Sequence, residues 1–183
     1  FTDLDRCTMG LETGLFVLAA RPSKGKTVFM LQLALYMGMG RGDYKQFDQA
    51  ALPVGIWSLE TEAARLTRRM LCNLASINLG RARDGMLSRK SMDDLATQAR
   101  QLAESHIYVE SCFGLTIQEF RAKARHAVKR HGLRVIMVDY LQCIGAERKT
   151  QDRRAEINHI ARTLTDVLKT NNAAGVLVSQ LTG

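Results

Sequence analysis

Short apolar segments alternate along the chain with longer stretches in which apolar residues recur at helical spacing. Strands are predicted for five of the short segments, residues 15–19, 54–59, 107–110, 135–138 and 176–179. Several of these segments are apolar at nearly every position, which is typical of strands that are covered on both faces. Strands that alternate with helices form βαβ units, so we expect an α/β fold with a mainly parallel sheet and helices on both faces.

Three helices are predicted from their starts or from their apolar faces. Ser91 with Asp94, and Thr116 with Glu119, have the spacing of a capping box at a helix N-terminus. The Asn pair at 171–172 suits the C-terminal end of the third helix. The apolar residues of that helix recur with helical spacing and are Ile157, Ile160, Ala161, Leu164, Val167 and Leu168.

The organisation of the chain predicts a single domain. Its 183 residues are enough to bury roughly 70% of the surface of the unfolded chain, and the sequence contains no repeat, low-complexity tract or interdomain linker. We expect two surface loops, one at residues 38–52, rich in Gly and polar residues, and one at 145–154, rich in Lys and Arg. The chain begins at Phe1 rather than at Met and stops at Gly183 just after an apolar run, so we expect it to be a piece of a longer protein.

Composition excludes several classes of protein. Apolar residues make up 46% of the chain and charged residues 24%, which is ordinary for a globular fold and excludes wholesale disorder. No apolar run approaches the ~20 residues of a spanning helix, and the start lacks a signal-peptide layout, so we expect no membrane insertion. The spacing of the four cysteines favours reduced thiols and a cytoplasmic location over a disulfide framework. Metal-ligand spacing is also missing among the histidines, which are His106, His126, His131 and His159.

The chain is basic, since 26 Lys and Arg against 18 Asp and Glu give a net charge of +8. Such an excess favours a polyanionic partner such as nucleic acid, but many basic domains gain only solubility from it. On the predicted helix from Thr116, Arg121, Arg125 and Lys129 lie at i, i+4 and i+8. We interpret these three residues as the solvated face of an amphipathic helix.

The strongest motif is residues 20–27, Ala-Arg-Pro-Ser-Lys-Gly-Lys-Thr, which follow a predicted strand and open a helical stretch. The pattern matches the phosphate-binding P-loop G-x-x-x-x-G-K-[ST], with Ala20 at the position of the first glycine. Backbone N–H groups and the positive end of the helix dipole surround phosphate oxygens in such a loop. The residues that we expect to bind ATP are Ser23, Lys24, Gly25, Lys26 and Thr27. Lys26 would lie between the β- and γ-phosphates, and the Thr27 hydroxyl would ligate Mg²⁺.

A P-loop also needs a carboxylate for the magnesium ion, and Asp139, directly after the apolar segment 135–138, supplies one. We expect Asp139 to hold the ion through a water molecule. Glu60 follows the second strand and is the candidate that activates the attacking water, whereas Glu62 is expected in the first turn of the next helix, where acids are favoured structurally. Gln180, after the last strand, is placed to hydrogen-bond a γ-phosphate. Ligands of open α/β sheets bind at the carboxyl ends of the strands, so we expect these side chains to face the P-loop.

Taken together, these segments resemble the C-terminal ATPase domain of the DnaB family of replicative DNA helicases, which has a RecA-like P-loop fold. The resemblance rests on a Walker A variant at residues 19–27, on Ser58-Leu59-Glu60, on Asp139-Tyr140-Leu141-Gln142 and on Ser179-Gln180-Leu181. Residues 1–5, followed by Gly10, Leu11 and Gly14, resemble the family's entry into the domain, while Lys24 departs from the usual methionine. The resemblance covers essentially the whole chain and implies a single RecA-like ATPase domain at residues 1–183.

The resemblance implies ATP-driven translocation on single-stranded DNA, and duplex unwinding, by a ring of subunits that is usually a hexamer. ATP and Mg²⁺ would lie between subunits, and primase and a helicase loader would be partners of the full-length protein. The family's amino-terminal domain, arginine finger and main DNA-binding loops would lie outside these residues, so we expect the isolated piece to hydrolyse ATP poorly. The loop after the Walker B strand can face the channel in RecA-like folds. The DNA-binding candidates are therefore Arg148, Lys149, Arg153 and Arg154.

Two other interpretations stay open at this point. A recombinase-type or clock-type RecA-like ATPase shares the fold and the P-loop, but the motif at 139–142 and the Ala-Arg-Pro-Ser segment argue against it. A loader or adaptor that binds nucleotide without hydrolysing it is the second alternative. It is disfavoured by the complete set of Lys26, Thr27, Glu60, Asp139 and Gln180.

Overall fold

The computed structural model describes residues 2–40, 50–145 and 153–181, and strands alternate with helices as predicted. The strands are β1 (Gly14–Ala20), β2 (Val54–Ser58), β3 (Ile107–Ser111), β4 (Val135–Asp139) and β5 (Ala174–Gln180). The helices are α1 (Thr2–Thr8), α2 (Lys26–Gly38), α3 (Ala63–Leu74), α4 (Leu79–Arg83), α5 (Arg89–Ala103), α6 (Ile117–His131) and α7 (Arg153–Thr170), with a 3₁₀ turn at Leu141–Cys143. Every predicted strand is present, and its ends lie within two residues of the prediction.

The five strands form one parallel sheet in the order β1-β5-β4-β2-β3. Strand β4 is central, and β5 separates it from β1. At the carboxyl ends of the strands, Ala20 is paired with Gln180 and Ser58 with Asp139. The strand that leads into the P-loop and the strands that end near Glu60, Asp139 and Gln180 therefore finish along the same edge of the sheet.

Alternate residues of β4 pack in two separate hydrophobic cores, one on each face of the sheet. Ile136 and Val138 lie in the core that contains the buried residues of α6 and α7. Val135 and Met137 lie in the other core, with the buried residues of α2 and α3. The predicted arrangement of helices on both faces is confirmed, and β4 is apolar at these positions because neither of its faces reaches solvent.

The start of α5 differs from the prediction. Its N-cap is Ser88, whose hydroxyl accepts a hydrogen bond from the backbone N–H of Ser91 at 3.1 Å, so the helix begins at Arg89. The capping box predicted from Ser91 and Asp94 is wrong, because Ser88 offers the same side-chain cap one turn earlier.

The ends of α6 and α7 match the prediction. Thr116 accepts a hydrogen bond from the backbone N–H of Glu119 at 3.3 Å, and the Glu119 carboxylate accepts one from the backbone N–H of Thr116 at 2.9 Å. The predicted capping box is therefore present. Helix α7 ends at Thr170, and Asn172 adopts a left-handed conformation with φ 49°.

The two predicted loops lie only partly within the described residues. The first, 38–52, begins at Gly38, which is the last residue of α2, and residues 41–49 lie outside the described residues. In the second, 145–154, residues 146–152 lie outside the described residues. Arg153 and Arg154 belong to α7 and not to a loop, so that boundary of the prediction is wrong. Apolar periodicity could not reveal it because the first turn of a helix needs no apolar residue.

The four cysteines are free thiols; Cys72 and Cys112 are buried, and Cys7 is exposed. In the part of the chain that the structure describes, no helix combines the length and the apolarity needed to span a membrane.

Gly175 in β5 packs so closely against α7 that a methyl group has no room there. An added Cβ would overlap the Cδ1 atom of Leu168, a side chain that is itself buried. We expect Gly175→Ala to lower the free energy of unfolding by about 1–3 kcal/mol, because extra atoms in a packed core force strain. Gly145→Ala is the control, since the nearest atom to a Cβ there is 3.8 Å away. Chemical denaturation of both variants with equal midpoints would contradict this expectation.

Candidate nucleotide-binding site

The segment between β1 and α2 has the conformation that phosphate binding requires. Gly25, the residue before α2, adopts a left-handed conformation with φ 81° and ψ 14°, and Ser23 has φ 59°. Gly25 has no side chain to cap the first N–H groups of α2, so an anion can take that place at the positive end of the helix. Ala20 is the last residue of β1 and lies in ordinary strand conformation. A glycine is therefore not needed at this first position of the motif.

The two lysines of the loop are placed differently. The Lys26 ammonium group donates a hydrogen bond to the carbonyl oxygen of Arg21 at 3.0 Å, which keeps its charge over the loop. Lys26 also lines the cavity beside the loop, whereas Lys24 is exposed and is not among the residues that line it. The side chain of Lys26, and not that of Lys24, therefore lines the cavity.

Thr27 and Asp139 are in direct contact although 112 positions separate them in the sequence. The Thr27 hydroxyl donates a hydrogen bond to a carboxylate oxygen of Asp139 at 2.8 Å. Asp139 is only 4% exposed. Burial raises the pKa of its carboxyl group and the nearby charge of Glu60 raises it further, while the Thr27 hydrogen bond and the charges of Lys26 and Arg69 oppose that rise. Two oxygen donors at this spacing suit a hard cation such as Mg²⁺.

The end of β2 places Glu60 at the same cavity. The backbone N–H of Leu59 donates a hydrogen bond to the carbonyl oxygen of Asp139 at 2.7 Å, which ties the end of β2 to the end of β4. The buried Ser58 hydroxyl accepts a hydrogen bond from the backbone N–H of Thr61 at 3.2 Å and so shapes the turn after the strand. Glu60 is exposed and lines the cavity. Glu62 is the residue before α3, one position ahead of the first turn in which it was expected.

These strand ends and the loop enclose one cavity of about 820 Å³, which is within the range of small-molecule sites. The predicted site residues that line it are Ser23, Gly25, Lys26, Thr27, Glu60, Asp139 and Gln180. The arrangement offers backbone donors and a lysine for phosphates, two oxygen donors for a cation, and a solvent-accessible carboxylate for a water molecule.

Arg69 is a residue of this cavity that the sequence reasoning missed. It lies in α3 between the buried residues Leu66 and Met70, lines the cavity, and its charge acts on the Asp139 carboxyl group. Its place in the sequence, on the helix that follows Glu60, could have identified it. Helix α3 leaves the sheet edge directly after Glu60, so a basic residue beside its apolar face stays near that edge.

The DNA-binding candidates are only partly described. Arg148 and Lys149 lie outside the described residues, while Arg153 and Arg154 begin α7. Arg121 and Arg125 are exposed on α6, as their interpretation as a solvated face predicts, and they line a separate groove of about 320 Å³ between α6 and α7.

Comparison with protein families gives a match over the whole chain, since the profile of the DnaB-like helicase C terminal domain matches residues 1–183. The replicative DNA helicase DnaC of Bacillus subtilis (strain 168) is 36% identical over 183 residues, which are 99% of this chain and 38% of that protein. The replicative DNA helicase DnaB of Geobacillus stearothermophilus is 33% identical over the same shares of the two chains. The chain thus spans about 38% of the length of these relatives.

Solved structures match the fold over 100% of this chain. A DnaB-like replicative helicase, described together with its interactions with primase, superimposes with a TM-score of 0.87 and 27% identity over 42% of its own length. The ATPase domain of G40P superimposes with a TM-score of 0.87 and 27% identity over 62% of its own length. The RecA-like fold that the family resemblance implied is therefore confirmed.

Proposed function

The chain belongs to the DnaB-like helicase C terminal domain family, and from this we propose that it is the ATP-hydrolysing motor of a replicative DNA helicase. The observation that carries the proposal is the contact between Thr27 of the P-loop and Asp139 of β4, with Glu60 and Gln180 on the same cavity. A protein that only bound nucleotide would have no use for a carboxylate placed to activate water beside the cation ligands.

The residues present fit Mg-ATP. The left-handed Gly25 and the uncapped start of α2 form a cradle for the β-phosphate, and Lys26 adds a positive charge beside it. The Thr27 hydroxyl would ligate Mg²⁺, and the Asp139 carboxylate would hold it through a water molecule. When bound, the ion neutralises charge that develops on the transferred phosphoryl group.

Hydrolysis then depends on the protein groups around the γ-phosphate. Glu60 would orient a water molecule and accept its proton, which its exposure to solvent permits. Gln180 would hydrogen-bond the γ-phosphate and distinguish ATP from ADP. Arg69 adds a second positively charged side chain, besides Lys26, on the α3 side of the cavity.

We further propose that the chain works on single-stranded DNA as one subunit of a ring, usually a hexamer. The location that we propose for it is the cytoplasm. Primase and a helicase loader would be partners of the full-length protein. The net charge of +8 supports a polyanionic partner. The test of this motor function is steady-state ATP hydrolysis by the full-length protein with and without single-stranded DNA. Strong stimulation that falls with salt supports a motor, and nucleotide binding without DNA-dependent turnover would indicate an adaptor instead.

The basic residues around the start of α7 are our candidates for the DNA contact. The variant that tests them carries alanine at Arg148, Lys149, Arg153 and Arg154. We expect it to bind single-stranded DNA more weakly and to lose about 0.7 from the slope of log Kd against log salt for each phosphate contact removed. Fluorescence anisotropy over a salt series measures both quantities.

A matched control removes positive charge from the solvated face of α6. It carries alanine at Arg121, Arg125 and Lys129. We expect this control to keep most of the salt dependence, because these side chains belong to the solvated face of α6. An equal loss of slope per charge removed in the two variants would mean that net charge, and not the basic residues around the start of α7, determines binding.

A further inference from the structure

The Gln142 side chain hydrogen-bonds the backbone of Gln180 on the β4 side of strand β5, beyond the last pair of β4 and β5. Its side-chain amide nitrogen donates hydrogen bonds to the carbonyl oxygen of Gln180 at 2.9 Å and to the Ser179 hydroxyl at 3.1 Å. Its side-chain oxygen faces the backbone N–H of Gln180 at 3.4 Å. One side-chain amide therefore meets both the donor and the acceptor of the Gln180 backbone, as a neighbouring peptide group would.

The register of the strands explains why such a substitute is needed. Pairing between β4 and β5 ends at Val138 and Leu177, because the chain then turns away from the sheet at Tyr140. Strand β5 continues for three more residues, with only β1 beside it. An unpaired backbone group in a half-buried strand end is costly, and the amide of Gln142 takes the place that β4 has left.

Gln142 is itself fixed to the core. It lies in the 3₁₀ turn directly after Asp139, where Leu141 is buried and the backbone N–H of Cys143 donates to the carbonyl oxygen of Tyr140 at 3.1 Å. On the other side of β5, the backbone N–H of Leu181 donates to the carbonyl oxygen of Ala20 at 3.1 Å. The end of β5 is thus held between the start of the P-loop and the turn that follows Asp139.

We propose that Gln142 is a positioning residue for recognition of the terminal phosphate. By fixing the Gln180 backbone, it sets where the Gln180 side chain stands relative to Lys26 and Thr27 in the cavity, and so how well the site separates a nucleoside triphosphate from a diphosphate. This inference rests on the proposed nucleotide site, although the Gln142 side chain is not among the residues that line the cavity.

The test is the ratio of two dissociation constants, measured by calorimetry on the full-length protein with Mg²⁺. The probes are ADP and the non-hydrolysable analogue AMP-PNP. We expect Gln142→Ala and Gln180→Ala each to weaken AMP-PNP binding by about tenfold, because a hydrogen bond to a charged group is lost or misplaced, while ADP affinity stays within about twofold. The double variant should be no worse than Gln180→Ala alone, since both changes remove the same interaction.

Controls separate positioning from general damage to the fold. Gln118→Ala changes an exposed glutamine of α6 and should leave the ratio unchanged. Should Gln142→Ala not fold, Gln142→Glu takes its place. This change replaces the donor that faces the Gln180 carbonyl by an acceptor, and we expect it to lose the preference for AMP-PNP over ADP. Ser179→Ala keeps both contacts of Gln142 to the Gln180 backbone and is expected to retain the preference for AMP-PNP over ADP.

The outcomes that overturn the inference are distinct from those that overturn the proposed function. If Gln180→Ala loses the preference for AMP-PNP and Gln142→Ala keeps it, Gln142 does not position the sensor. A parallel loss of ADP and AMP-PNP affinity in Gln142→Ala would mean a structural role only. If the unsubstituted protein binds neither probe, the proposed nucleotide site itself is wrong.

Discussion

Replacing Glu60 by Gln is expected to lower the rate of ATP hydrolysis by about 10²–10⁴-fold, the usual contribution of a positioned general base. The amide keeps the size of the side chain and its place on the cavity but cannot accept a proton from water. The Thr27–Asp139 pair and the P-loop are untouched by the change. Affinity for a non-hydrolysable ATP analogue is therefore expected to stay within about twofold, so that the loss falls on kcat and not on binding.

Glu62→Gln is the matched control for this experiment. Glu62 lies two positions further on, directly before α3, and its side chain makes no capping hydrogen bond and does not line the cavity. Hydrolysis by Glu62→Gln should equal that of the unsubstituted protein. If Glu62→Gln were the slow variant and Glu60→Gln the active one, the catalytic role would belong to Glu62.

The parts of the fold that depend on local pattern were predictable from the sequence. Strand β4 could be recognised because both of its faces are buried, which leaves a continuous apolar run. The cap of α6 could be recognised because both hydrogen bonds of its box join residues three positions apart. The start of α5 was misplaced because Ser88 and Ser91 are both good caps three positions apart, and residue type alone does not select one of them.

Much of the candidate site was predictable for a related reason. Parallel strands bring their carboxyl ends to one edge, so Glu60, Asp139 and Gln180 could be grouped without knowing the strand order. Gln142 could not be assigned in this way. Its role depends on which strand lies beside which, and nothing local in the sequence indicates that β5 lies between β1 and β4. The Lys24 side chain does not line the cavity, because the conformation of the loop, not its composition, decides which side chains face it, and nucleotide binding by Lys24 stays a prediction.

Replacing Asp139 by Asn is expected to lower Mg-dependent ATP hydrolysis but to raise the stability of the protein without metal and nucleotide. Asn cannot supply the negative charge that would hold Mg²⁺ through water, and loss of such an outer ligand usually costs about 10–100-fold in metal affinity or activity. We therefore expect a loss of that size in Mg-dependent hydrolysis. Titration of Mg²⁺ against the rate should show a higher requirement for the ion, whereas Asp84→Asn, at an exposed ion pair with Arg83, should change nothing.

Without metal and nucleotide, the same substitution should raise Tm by a few degrees. The Asp139 carboxylate is buried, and burial raises its pKa above the ordinary value of 3.8, so the charged form is unfavourable in the folded chain. Asn is neutral and its side-chain oxygen can still accept the hydrogen bond from the Thr27 hydroxyl. Thermal unfolding in EDTA measures the difference.

The pH dependence of that difference identifies its cause. Between the ordinary and the raised pKa, the folded state binds more protons at Asp139 than the unfolded state does, so the stability of the unsubstituted protein falls as pH rises through this window. Below pH 3.8 residue 139 is neutral in the unsubstituted protein as well as in Asp139→Asn, so the Tm values of the two proteins should converge. Above the raised pKa, Asp139→Asn should keep its full advantage. Mg²⁺ with an ATP analogue should reverse the order, because the protein with the charged carboxylate binds the ion more tightly than Asp139→Asn and so gains more stability from it. A constant Tm difference at all pH values would show that packing, and not the buried charge, separates the two proteins.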